Sequence, residues 1–414
     1  MCLLPSGLFA LPARHTSTAP PERDLSLQLR RNLGWLLAGE LAYGRSGGQI
    51  ADGRLHLTSS ATTGPHQLGL GVTLAHGDRG GLYDQQGYRL GLGAAAPQDQ
   101  RRRRWVDIDR LMWTVGWGDV DFTLGRWADD IEAAYPANRP APYDLNEPTL
   151  PRIQSRWALT AEVYLGDRAY KVAFYPFFIP SKTPAAASAW NWGRAGDSYF
   201  AGADPQSLDE VRPAGPAQSL LSFGYRSRRR GWDWGWGLDW GPDQYPVLTT
   251  GRDGAATRRY RRKTYLSAHT ESPRAPLALY GQAVAQTGGG DDRFLALGLG
   301  LKIRRRALVL EAVYRREWIV QRAGGADLLA SSRQARWGRD DLGLQAGWES
   351  GAFEARAGLH RLLGAGSYRA DAEVGWRRSR LSWRLRAEAF GGEKGYYGRW
   401  RRNDRLLLVL EYRR

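Results

Sequence analysis

GWDWGWGLDW, residues 231–240, places Trp232, Trp234, Trp236, Leu238 and Trp240 at even positions and Asp233, Gly235, Gly237 and Asp239 at odd ones. Side chains of a strand alternate between two faces with a period of 2. As a strand, the segment has one face dominated by indoles and one of carboxylates and glycines. As a helix, it would scatter the indoles around the axis, with its glycines opposing the helix. A soluble sheet could bury the indole face in a core. A membrane barrel would turn it to lipid, with Trp concentrated near the headgroups.

The same one-sided polarity recurs along the chain. Leu68, Leu70, Val72 and Leu74 share a face in HQLGLGVTLAH (66–76). Val120, Phe122 and Leu124 alternate with Asp119, Asp121 and Thr123, and Trp157 to Leu165 with Thr160 and Glu162. Leu342, Leu344, Ala346 and Trp348 oppose Gln345 and Glu349; Phe353 to Leu359 oppose Glu354, Arg356 and His360. Tyr368 to Trp376 oppose Arg369, Asp371, Glu373 and Arg377, and Leu381, Trp383 and Leu385 oppose Arg384, Arg386 and Glu388. The last run is Leu406, Leu408, Leu410 and Tyr412. Each run covers about 9–13 residues, as a tilted strand needs to cross a bilayer, whereas strands of soluble sheets usually stop at about 5–6.

Connections alternate as well. Short ones fall near 118–119, 166–167, 227–230, 272–274, 304–306, 350–351 and 378–379, and longer or more polar ones at 127–153, 178–216, 241–259, 286–291, 321–335, 363–367 and 391–398. Short turns on one side and longer loops on the other suit an outer-membrane barrel and put the C-terminus on the short-turn side. About fifteen strands follow residue 105, and the first hundred residues add one or three. The expected fold is therefore all-β: a transmembrane antiparallel β-barrel of 16–18 strands, 18 favoured, with short periplasmic turns and longer extracellular loops. Residues 25–414 form its single domain. Residues 1–24 read as a residual signal peptide or a disordered N-terminal tail, and the register of 25–44 is not legible.

Composition agrees. The 414 residues hold 18 Trp and 19 Tyr against 10 Phe, a bias that suits interfacial belts or sugar-binding surfaces. Mean hydropathy is −0.51, and no apolar run reaches the length of a transmembrane helix. Half-exposed strands keep a barrel's mean hydropathy low, so this does not exclude a barrel. The net charge of +17 is almost all arginine and admits nucleic acid, anionic lipid or an anionic solute as partner. Nucleic acid is disfavoured by the length and regularity of the strands. The one cysteine, Cys2, excludes a disulfide framework and a thiolate metal site.

The segment 105–184 resembles porin-like outer-membrane proteins of Gram-negative bacteria. The hairpin WTVGWGDVDFTLGRW (113–127) is similar to their strand–Gly-Asp–strand–LGR pattern, and ALTAEVYLGDRAYKVAFYPFFIPSK (158–182) to their next hairpin. More distantly the chain resembles alginate-export and phosphate-selective porins. Trp127 replaces the usual Gln after LGR, and Tyr412 is followed by Arg413 and Arg414 where those families end on an aromatic. The resemblance implies an outer-membrane channel and fixes no solute. Its implied partners are outer-membrane lipid, lipopolysaccharide and the barrel-assembly machinery.

Catalytic patterns are weak. The runs LGLGLK (297–302) and TGGGDD (287–292) follow no βα pattern, and GxSxG, HExxH and CxxC are absent. Carboxylate pairs such as Asp107/Asp109 read as solvated groups or partners of arginine before glycosidase acids. No enzyme, cofactor or metal is expected. If the apolar faces meet lipid, Arg356, Arg369, Arg377, Arg384, Arg386, Asp371, Glu373, Glu388, Asp233 and Asp239 line the pore. They either select anions or pair across strands and stiffen the wall. Trp232, Trp234, Trp236, Trp240, Trp348, Trp376, Trp383 and Tyr412 then face lipid. Trp190, Trp192, Tyr199 and Phe200 form a loop that either constricts the lumen or packs on itself. Arginine clusters at 101–104, 228–230, 258–262 and 304–306 sit at strand ends, within reach of phosphate headgroups. The expected function is passive diffusion of small, anionic solutes or acidic oligosaccharides. The alternatives are a plugged barrel that sheathes a partner and a soluble all-β sugar-binding protein or glycosidase.

Overall fold

The structure, a computed structural model, describes residues 34–46, 48–77, 93–96, 103–128, 143–144, 152–153, 155–179, 209–243, 247–250, 256–272, 276–288, 293–321, 340–364, 366–392, 397 and 404–413. Residues 1–24 and the aromatic loop bearing Trp190, Trp192, Tyr199 and Phe200 lie outside the described residues. The long strands, in chain order, are β1 (Gly34–Ser46), β2 (Gly48–Thr63), β3 (His66–Gly77), β4 (Arg103–Trp117), β5 (Val120–Trp127), β6 (Arg156–Leu165), β7 (Arg168–Tyr175), β8 (Leu220–Arg229) and β9 (Trp232–Pro242). They continue as β10 (Arg262–Ser272), β11 (Leu277–Thr287), β12 (Arg293–Arg305), β13 (Leu308–Gln321), β14 (Asp340–Ser350), β15 (Phe353–Leu362), β16 (Ser367–Arg378), β17 (Leu381–Gly391) and β18 (Asp404–Arg413).

Every strand pairs antiparallel with its chain neighbours. The first also pairs with the last, from Leu36 opposite Arg413 to Arg45 opposite Asp404. The pairing thus returns to its start, and the 18 strands leave no edge unpaired around the ring. A short strand, Gly93–Ala96, covers the part of the β4 edge that β5 leaves open. Three of the eighteen strands precede residue 100, so the first hundred residues add three to the fifteen that follow. The stretch with no legible register yields β1, fixed by partners on both sides.

The ends of the ring differ. The turns at 64–65, 118–119, 166–167, 230–231, 273–276, 306–307, 351–352 and 379–380 share one end with both termini of the sheet. The connections at 78–102, 128–155, 176–219, 243–261, 322–339 and 392–403 are at the other. A three-stranded sheet of Asp209–Val211, Ala256–Arg259 and Val247–Thr250 ties two of the long connections together. At the short-turn end, Gly118, Gly166 and Gly351 hold left-handed φ values of 62°, 63° and 59°. Arg230 and Arg306 occupy the same place in their turns at φ 53°, where a Cβ costs about 1–2 kcal/mol.

The sheet is polarised opposite to a soluble one. Leu68, Leu124, Leu159, Leu266, Leu344, Val374 and Leu410 are exposed, whereas Thr160, Asp239, Arg315, Arg369 and Glu388 are buried. The Trp-rich strand follows this rule as β9: Trp232 is 40% and Trp240 49% exposed, while Asp239 is 3% exposed. Along the strand, Trp232 and Trp240 stand about 26 Å apart at about 3.3 Å per residue. With a tilt of about 40° that is about 20 Å in height, so they fall near the two edges of an apolar band about 25 Å tall. Trp234 and Trp236 lie between them and pack on Tyr225 of β8, with ring centroids at 5.1 and 6.3 Å. Tyr225 continues the outer aromatic cluster to Tyr170 of β7 at 5.0 Å. Trp348 and Tyr412 are exposed as well; Trp376 and Trp383 are direct cross-strand partners and half-cover each other's rung.

Several glycines are set by close approach, two of them most tightly. Tyr280 lays its ring over Gly300 directly opposite, where an added Cβ would stand 2.0 Å from Cζ. Gly125, the glycine of LGR, sits at φ 144°, and a Cβ there would stand 2.1 Å from the Leu111 carbonyl oxygen. This glycine breaks the alternation. Arg126 should follow Phe122 and Leu124 outward by parity, yet it is buried and donates to the Ile108 carbonyl.

Trp236→Asp is expected to lower the folded fraction by placing a carboxylate on the lipid face, a loss of a few kcal/mol. Asp233→Asn is expected to fold like the wild type; heat-modifiable gel migration after refolding into liposomes measures both. Gly125→Ala should destabilise the barrel by about 1–3 kcal/mol from backbone strain alone, read as an earlier urea midpoint. A midpoint equal to that of the wild type would refute the close-approach argument.

Candidate functional site: the inner polar face

The strands that pack lipid on one side carry charge on the other, and antiparallel register decides which charges meet. On β16–β18 the inward residues Asp371, Glu388 and Arg405 lie on one rung, and Glu373 pairs with Arg386 on the next. Glu388 is the centre of the group. Arg369 Nη2 donates to its Oε1 at 2.8 Å, and Arg405 Nε and Nη2 reach its Oε2 at 2.7 and 2.5 Å. Arg386 Nε lies 3.0 Å from Oε1, and its Nη2 lies 3.3 Å from Asp371 Oδ2. The side chains of Glu388 and Arg405 are 0% exposed and that of Arg369 1%. Three guanidinium groups thus share two carboxylates. A buried charge is costly unless it is paired and hydrogen-bonded; sharing gives each charge here an opposite partner, while Arg386 Nε and Nη2 and Asp371 Oδ1 are buried without a hydrogen bond.

The ladder lies in the long-loop half of the ring and continues onto β13–β15. Arg315 Nη1 is 3.4 Å from Asp341 Oδ2, and His360 Nδ1 is 4.0 Å from the same oxygen. Tyr397, between β17 and β18, is buried within the electrostatic reach of Asp341, Arg369, Arg315 and Asp371; burial pushes its phenol above its ordinary range. A connecting-segment residue therefore reaches the ladder.

Nearer the short turns, Arg384 donates to Glu411 at 3.0 Å, and Arg356 sits 3.4 Å from both Glu349 and Glu354. Asp233 accepts from Arg228 at 2.6 and 2.9 Å. Arg377 is on the inward parity but exposed, next to the turn at 379–380. Glu373 is half-buried and Asp239 buried. All ten charged residues expected on the inner face thus have that parity, and seven of them enter the ion pairs just described.

The opposite wall contributes residues that sequence reasoning did not single out. Lys263 and Asp243 form a buried pair at 2.6 Å, and Arg156 stacks over the Tyr175 ring at 3.5 Å. Tyr280 donates to Glu311 at 2.5 Å. A small apolar cluster of Tyr265, Val284, Phe294 and Ala296 fills the inner face between them. Arg405 was hidden because β18 buries Leu407 on its inner face, so its polarity does not alternate cleanly. Lys263 was hidden in a run of arginines.

No protein-family model matches the chain, and no curated protein matches it. Solved structures do. OccAB3 of Acinetobacter baumannii is 9% identical with a TM-score of 0.53, covering 92% of this chain and 98% of that one. OccK9 (OpdG) of Pseudomonas aeruginosa is 14% identical with a TM-score of 0.53, covering 92% and 97%. OccK2 (OpdF) of the same organism, solved in complex with glucuronate, is 13% identical with a TM-score of 0.52, covering 92% and 97%. At these identities the likeness is one of fold, and it agrees with the inverted polarity of the sheet. The chain has the fold of the bacterial outer-membrane porins, an antiparallel β-barrel of 18 strands.

Proposed function

We propose that the chain is a passive channel of the bacterial outer membrane for small solutes, and that it favours anions. One observation carries this reading: a ring of strands without a free edge, apolar outside and charged inside. In hydrocarbon, backbone polar groups must be satisfied within the protein, which a closed barrel does. A polar inner face then serves water and solute. The preference for anions rests on the ladder, where Arg369, Arg386 and Arg405 outnumber Asp371 and Glu388. A charge surplus in a low-dielectric constriction raises the local concentration of the opposite ion. No bond is made or broken; selection is electrostatic.

OccK2 was solved with glucuronate, which makes small carboxylates and acidic sugars the first solutes to test here. The same reading has lipopolysaccharide meeting the long-loop end and the barrel-assembly machinery receiving β18 with Tyr412. A second reading, the plugged barrel acting as a scaffold, is favoured by the complete burial of Glu388 and Arg405, which closes the wall tightly at that height.

Conductance in planar bilayers separates the two. The channel reading expects discrete steps and a reversal potential in a KCl gradient that reports chloride over potassium. A correctly folded protein with no current would leave the scaffold reading. Asp233→Asn removes an inward negative charge and is expected to move the reversal potential further toward chloride. Glu388→Gln leaves three guanidinium groups around a neutral amide. It should cost about 3–5 kcal/mol, read as an earlier denaturation midpoint, well beyond the effect of Glu354→Gln in the half-buried pair.

A further inference from the structure

Four hairpins end at the short-turn side with an arginine on the outward face. Arg168, Arg229, Arg305 and Arg378 are the strand residues adjoining the turns at 166–167, 230–231, 306–307 and 379–380. Each pairs across its hairpin with an apolar residue of the outer face: Leu165, Trp232, Leu308 and Leu381, all exposed. All four arginines are exposed too. The last apolar rung and the first cationic position thus coincide around the rim, on β6/β7, β8/β9, β12/β13 and β16/β17. These side chains face away from the lumen and cannot act on a solute inside it.

A second feature points the same way. Arg230 and Arg306 follow Arg229 and Arg305 in the turns and hold φ 53°, where four sister turns use glycine (Gly64, Gly118, Gly166 and Gly351) and a fifth uses Ser379 at φ 45°. Glycine would relieve that backbone and remove the charge. The sequence keeps the charge. Asp167 stands 3.9 Å from Arg168, with both side chains more than half exposed, a solvent-screened pair that contributes little.

We propose that this rim binds the phosphate groups of anionic phospholipids in the leaflet at the short-turn end. The guanidinium fork matches two phosphate oxygens. The aliphatic stem of each arginine can lie along the apolar rung while its head reaches the headgroup layer. The rim fixes the height of the barrel in the membrane, independently of what passes through it.

The test uses the full chain refolded in mixed micelles of phosphatidylglycerol and phosphatidylcholine in equal amounts. The lipid retained through gel filtration is quantified by headgroup. Phosphatidylglycerol should be enriched, on the order of fivefold per arginine contact at low salt. The enrichment should fall toward parity at about 1 M salt, where the screening length is about 3 Å. The variant R168Q/R229Q/R305Q/R378Q should lose it, while the same four positions changed to Lys should keep part of it. Anion selectivity in planar bilayers should be unchanged in both, so failure here is distinguishable from failure of the channel reading. Equal retention of the two lipids by the wild type, or enrichment that survives the Gln variant, would overturn the proposal. So would retention of a phosphorylated glycolipid in preference to phosphatidylglycerol when both are offered together in the micelle. If the Gln variant does not fold, the wild-type headgroup and salt series decides alone.

Discussion

An unpaired backbone amide in hydrocarbon has no water to turn to, and the pairing of β1 with β18 answers that constraint. Each strand can satisfy one edge with its hairpin partner, but the first and last of a sheet keep a free edge unless they meet. Here they meet over ten residue pairs, Leu36 to Arg45 against Arg413 to Asp404. Closure fixes everything else. Strand number follows from the register that returns to its start. The two faces become inside and outside, and a charged residue cannot be traded between them without a one-residue slip that would invert the whole strand.

Once the faces are fixed, the usual economy of folding is reversed. Many large apolar side chains remain exposed to the surroundings, and polar and charged side chains make up much of what is buried. Two small apolar clusters, around Tyr265 and around Ala158, Tyr175 and Leu220, are the nearest approach to a soluble core. Cohesion across the lumen side comes instead from shared ions. Glu388 serves three arginines from three strands, β16, β17 and β18, so it pins the last hairpin and the terminal strand to one another. The same arrangement leaves a cationic surplus at one height of the wall. The residues that pair the strands are thus the same ones on which the proposed preference for anions rests.

The alternation made β9 and β14–β17 legible residue by residue, because a period of 2 survives any choice of partners. The short turns and long loops were legible from glycine, serine and arginine at the strand ends. What the sequence withheld was register. Which acid meets which arginine depends on offsets such as that between Arg369 and Glu388, 19 residues apart, and no local pattern carries an offset. Positions that break the period were also hidden. Arg126 is buried against its parity because Gly125 turns the backbone, and β18 buries the apolar Leu407 on its inner face. The aromatic candidates of 189–200 lie outside the described residues, while Tyr397, in a segment read only as a loop, reaches the ladder.

The net charge of +17 also takes on a different meaning once the fold is drawn. Read along the chain, the arginines divide between inward positions on the strands and clusters at the strand ends. In the ring, most inward arginines are answered by a carboxylate, from Arg228 with Asp233 to Arg384 with Glu411. Exposed arginines cluster at the short turns, as Arg229 and Arg230, Arg304 to Arg306, and Arg377, Arg378 and Arg380, while Arg259, Arg293, Arg316 and Arg361 are exposed elsewhere. Trp232 belongs to that boundary. It opens the tryptophan strand directly opposite Arg229, an indole at the edge of the apolar band beside a cation at the start of the headgroup layer. Its strand therefore records both conditions the barrel must meet, hydrocarbon along its length and phosphate at its end.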